Sequence, residues 1–162
     1  MFSLRLCTRP CVFNSTQCFA PNVISTQYYR YAINGSFLDN GIVSHKHAWF
    51  WGMFLTDGTM MHRNGQFVGL RWGLRYSCYP MLQGLKRAVD STHIITFDMW
   101  GNQSGNTYPI CELRLHNTRL ADQACALLRC NPRRKTYDLK FPPDIDSQFY
   151  SSLLRGIYDG DG

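Results

Sequence analysis

Two nine-residue segments, about a hundred residues apart, carry the same arrangement of glycine and aspartate. Phe50-Trp51-Gly52-Met53-Phe54-Leu55-Thr56-Asp57-Gly58 and Leu154-Arg155-Gly156-Ile157-Tyr158-Asp159-Gly160-Asp161-Gly162 both hold Gly at the third place, Asp at the eighth and Gly at the ninth. A glycine on a helix admits a neighbouring backbone where a side chain would clash. An acid at the end of each of two packed helices then brings two carboxylates together. Paired carboxylates can share divalent cations, which activate water and stabilise a leaving oxygen in phosphodiester hydrolysis. One Gly-x-x-x-x-Asp-Gly is a common accident; two are more specific.

The elements that must position these acids follow from patterning. His47 to Leu55 holds the run Ala48 to Leu55, hydrophobic all round, which predicts a fully buried helix stopped at Thr56-Asp57-Gly58. Thr59 to Arg63 and Gln66 to Arg75 flank Asn64-Gly65, a two-residue hairpin signal. Pro80 opens a helix to Val89. His93 to Trp100 and Tyr108 to His116 make a second hairpin, and Thr118 to Arg129 an amphipathic helix. Pro142-Pro143 precedes a last helix, Gln148 to Asp159. The order predicts an α+β fold: an αββαββα unit with an antiparallel four-stranded sheet, helices on one face, and a further helix. Residues 1–44 read as an irregular basic extension with a short helix at most, around Thr26 to Ile33. Residues 45–140 read as the domain, and 141–162 as a linker and the last helix.

The paired pattern resembles the signature of the LAGLIDADG homing-endonuclease family, separated here by ββαββα and preceded by Phe141-Pro142-Pro143, which looks like that family's link between halves. The resemblance covers about residues 45–162. It implies that Gly52 and Gly156 pack two signature helices, and that Asp57 and Asp161 are catalytic acids holding a divalent cation such as Mg²⁺. Leu55 stands where the first signature would carry a further Asp. The sequence given runs to Gly162, directly after the second signature, whereas a one-chain enzyme of the family continues into a second ββαββα half. The resemblance therefore implies a metal-dependent DNA endonuclease whose second half is supplied, in one reading by a separate chain. The alternative is a non-cleaving, RNA-binding relic: an intron maturase, or a component of an organellar ribonucleoprotein such as a mitochondrial ribosome.

Charge agrees with a polyanionic partner. Between Arg63 and Lys140 twelve Lys or Arg face five acids, and Arg outnumbers Lys thirteen to four over the chain. Arg forks suit phosphates and guanine edges, and each neutralised phosphate releases counterions. Period-two alternation assigns Val68, Leu70, Trp72, Leu74, Ile95, Phe97, Cys111, Leu113 and Leu115 to the helix side of the sheet. Arg63, Arg71, Arg75, Arg114 and His116 then face outward, toward double-stranded DNA or structured RNA, joined by the basic loop Arg133-Arg134-Lys135. Thr96, Asp98 and Glu112 share that face; the acids either accept from cytosine amines or pair with Arg114. The Asn64-Gly65 hairpin is short for a DNA-reading ribbon, which implies reduced sequence specificity.

Seven cysteines without a CxxC pair argue against a disulfide scaffold and for reduced, intracellular thiols. Cys7, Cys11 and Cys18 with His45 or His47 match no familiar zinc spacing. Residues 1–38 carry Arg5, Arg9 and Arg30 and no acid, which resembles an organellar transit peptide and favours a mitochondrion or chloroplast. No apolar run approaches the roughly 20 residues that a bilayer span requires.

Overall fold

The computed structural model describes residues 31–101, 107–131 and 144–161, together with Gly105 and Lys135. The chain runs α1 (His45–Thr56), β1 (Gly58–Arg63), β2 (Gln66–Arg75), a 3-10 turn (Tyr76–Cys78), α2 (Tyr79–Ala88), β3 (Ile95–Gly101), β4 (Thr107–His116), α3 (Thr118–Leu128), a second 3-10 turn (Ser147–Phe149) and α4 (Tyr150–Asp161). It is an α+β fold with four α-helices among the described residues and an antiparallel sheet ordered β1-β2-β4-β3. No helix among them is long and apolar enough to cross a membrane.

Local chemistry sets the boundaries. Ser44 caps α1 by accepting from the His47 amide, and Asn117 caps α3 by accepting from the Leu120 amide at 2.8 Å. Asn64 (φ 49°) and Gly65 (φ 86°) take the two positive-φ places of a tight hairpin. Arg129, also left-handed, ends α3.

Helix α1 is the hub, as a helix apolar on every side must be. Phe50 meets Trp72 of β2 edge-on at 5.4 Å, and the Trp72 indole N–H donates to the Met53 carbonyl at 3.1 Å. Leu70, Leu113 and Leu115 from the sheet, Leu82 and Leu85 from α2, Leu120 and Ala124 from α3, and Leu153 from α4 complete one core.

Three expectations change. The folded unit begins by residue 31 rather than 45. Phe37 and Leu38 are buried in the core, and the Asn34 and Thr92 amides donate to the carbonyls of Val89 and Ala32. Residues 31–33 are not helical; the rest of the short helix expected there, and the cysteines at 7, 11 and 18, lie outside the described residues. Val68 leaves the helix side, because the register slips between Met61 and His62: Met61 pairs with Gly69 and His62 with Phe67. Val68 is the extra residue of this bulge, and it lines the open face beside Thr59 and Arg63. Phe97 stays on the helix side but remains 55% exposed, since β3 is an edge strand; Tyr76 and Tyr79 lean against the ring.

Candidate functional site

Helices α1 and α4 run parallel and cross glycine to glycine. A Cβ added at Gly52 would collide with the Leu153 carbonyl and lie 2.8 Å from the Ile157 amide nitrogen. One added at Gly156 would collide with the Trp49 carbonyl and lie 3.1 Å from the Gly52 Cα. Further along, Gly160 sits against Thr56, with its Cβ position 3.3 Å from Asp57 Oδ2. The two C-terminal ends therefore lie together. The Trp49 indole N–H locks this register by donating to Asp159 Oδ2 at 2.9 Å, and Arg155 donates to Oδ1 of the same acid at 2.7 Å. Asp159, the sixth-place acid of its segment, is thus engaged in holding α4 on α1.

Two parallel helices place two negative dipole ends side by side, and Asp57 and Asp161 add two carboxylates there. Burial raises the Asp57 carboxyl above the ordinary range and the neighbouring Asp161 raises it further, against the pull of Lys135. Such a concentration of negative charge draws in a cation. Lys135 answers it: its ammonium donates to the carbonyls of Phe54 (2.5 Å), Gly58 (2.5 Å) and Thr56 (3.3 Å), over the Phe54 ring. Phe54 and Thr56 lie in the last turn of α1, whose final carbonyls lack helical partners, and Gly58 opens β1. Burial pushes the Lys135 ammonium down to about 8, while Asp57 pulls it up. Lys135, expected in a basic loop on nucleic acid, instead points into the protein at 9% exposure. Its loop neighbours Arg133 and Arg134 lie outside the described residues.

No group of three or more His, Cys, Asp or Glu that could hold a metal occurs among the described residues. A two-carboxylate donor set still suits Mg²⁺, which keeps several waters and takes one or two carboxylates alongside substrate phosphates. Burial first, and then the neighbouring Asp161, raise Asp57, and a divalent ion would offset both.

The face of the sheet away from the helices carries the basic side chains. Arg71 and Arg114 are direct partners across β2 and β4; Arg75 pairs with Ile110, and Gly69 with His116. Arg63, Arg71, Arg114 and His116 line one groove with Thr59 and Val68. Glu112 lies between Arg71 and Arg114 and is ion-paired to both, to Arg114 at 2.5 Å. Its side chain is 9% exposed while the two arginine side chains keep 49% and 55%, so a buried acid organises two exposed cationic side chains. That pairing was one of the two roles the sequence left open for Glu112. His116 is exposed, and its amide donates to Nε2 of the buried His93 at 3.1 Å, an anchor at the end of β4. Burial first, and then His116, hold the His93 imidazole below its usual range. Neither this histidine nor the capping role of Lys135 was singled out from sequence, because both depend on distant partners. No family model and no curated protein matches the chain.

Proposed function

We propose that the protein binds nucleic acid across the open face of its sheet, and that Asp57 and Asp161 equip it for divalent-metal-dependent hydrolysis of DNA once a second half is supplied. This is the activity implied by its resemblance to LAGLIDADG homing endonucleases. The observation that carries the reading is the glycine-to-glycine crossing of α1 and α4, which leaves two electrostatically coupled carboxylates at one end of the domain. Asp57 and Asp161 would hold a Mg²⁺ ion, which would supply water activation and charge for the leaving oxygen of a phosphodiester. Arg63, Arg71, Arg75, Arg114 and His116 bind and orient the backbone on the open face.

The second half, on this reading, packs against the outer side of α4. On α4, Tyr150, Leu154 and Tyr158 recur at i, i+4 and i+8 and are exposed, an apolar stripe on the side away from Gly156. The acid-free N-terminal residues support an organellar setting. A second reading, RNA binding without cleavage, is favoured by Lys135, whose ammonium already compensates Asp57.

Salt-dependent binding tests the shared part of both readings. Arg63→Gln with Arg75→Gln leaves the Glu112 ion pairs intact, so the fold is not confounded by a stranded carboxylate. Removing two phosphate contacts should flatten the log–log salt slope by roughly 1.4–1.8. An unchanged slope and affinity would overturn the open face as the binding surface.

A further inference from the structure

We infer that the open face between β3 and β4 is a stacking site for an unpaired RNA strand, with Trp100 taking a base, Arg71, Arg75 and Arg114 taking phosphates, and Asp98 accepting from a ribose 2′-hydroxyl. The inference rests on the second reading above, RNA binding, and narrows it.

A groove of about 290 Å³ runs along this face, lined in part by Arg71, Thr96, Asp98, Trp100, Glu112 and Arg114. Trp100 is 58% exposed and is braced edge-on by Tyr108, its direct cross-strand partner, at 5.5 Å. A large aromatic ring held out of the core beside guanidiniums has the composition of a single-strand platform, in which ring faces take bases and cations follow the backbone. Duplex recognition asks for different chemistry. Paired bases hide their faces and offer only edges, which need hydrogen-bonding side chains rather than an indole. Gly73, opposite Glu112 on β2, adds open floor: a Cβ there would meet nothing within 4 Å.

The acids choose the sugar. Asp98 lies on the same face two residues from Trp100, its carboxylate oriented by accepting from the Met99 amide at 2.8 Å. An acid repels phosphate but accepts readily from a hydroxyl, and the 2′-hydroxyl is the donor that separates RNA from DNA. Glu112 is already neutralised by its two arginines, so the central groove remains cationic.

The test is fluorescence anisotropy with a labelled single-stranded RNA of about 12 nucleotides, within the range of single-strand site sizes. The same-sequence single-stranded DNA and the DNA duplex are run beside it. The expected order is RNA strand tightest, then DNA strand, then duplex. Trp100→Ala should weaken RNA binding roughly 5- to 150-fold, the value of one stacked base, while Trp100→Phe keeps most of it. Both variants should melt like wild type. Trp100→Ala that binds RNA unchanged overturns the stacking role, and equal affinity for the DNA strand overturns the choice of RNA. Binding of duplex DNA alone overturns the inference and leaves the nucleic-acid reading standing. Binding of none of the three overturns both.

Discussion

Gly156→Ala should lower stability by about 3 kcal/mol, the upper part of the usual range for overpacking, and the melting temperature by roughly 6–12 °C for a domain of this size. A single methyl has this effect because its neighbour is main chain. The Trp49 carbonyl cannot rotate away as a side chain would, so α4 must move off α1. Moving it also breaks the Trp49–Asp159 hydrogen bond and uncovers Leu153, which is fully buried. Gly52→Ala should behave alike, as it faces the same crossing from the other side. Gly73→Ala is the control: it meets nothing and should change stability by no more than about 0.5 kcal/mol. Thermal melts that put Gly156→Ala level with Gly73→Ala would remove the close crossing from the account.

The second large effect concerns the acid pair. Asp57→Asn and Asp161→Asn nearly preserve shape and delete the charge that a divalent ion needs. With Mg²⁺ and a chain supplying the second half, each should cut DNA cleavage by about 10²–10³-fold, the scale of losing one preorganised electrostatic stabiliser. Binding should survive, because the open-face arginines are untouched. The fold should survive as well, since neutralising Asp57 removes its repulsion with Asp161 and leaves Lys135 on its three carbonyls. Cleavage that persists in the double variant would place the hydrolytic centre elsewhere. A wild-type protein that binds RNA tightly and cleaves no DNA would decide for the non-cleaving reading.

How legible these features were depends on how local their causes are. The Asn64-Gly65 turn, the start of α2 one residue before Pro80 and the inward run Leu70, Trp72, Leu74 are written in neighbouring residues. Strand period and turn chemistry therefore found them. Phe37 and Leu38 sit among Asn, Ser and Gly and read as loop. They are buried only because backbone hydrogen bonds to Val89 and Thr92, and the Gln123 side chain on the Leu38 amide, hold the segment on α1 and α3. The bulge at Val68 was hidden for a similar reason. One inserted residue shifts the pairing and flips a side chain without altering composition. In the site, glycine spacing told that two helices could approach closely. It said nothing of Lys135, whose place is dictated by unpaired carbonyls about eighty residues earlier in the chain. Alternation likewise put Glu112 beside Arg114 as one of two roles, but showed neither its burial nor its second pair, to Arg71.

The central claim is that nucleic acid lies on the sheet face opposite the helices. Ultraviolet crosslinking of bound nucleic acid, followed by mass spectrometry of the crosslinked peptides, tests it most directly. The account predicts adducts on β2, β3 and β4, in residues 66–75, 95–101 and 107–116, with Trp100 and Tyr108 among the reacting side chains. Adducts confined to the outer surfaces of α2 and α3, residues 79–88 and 118–128, would contradict it.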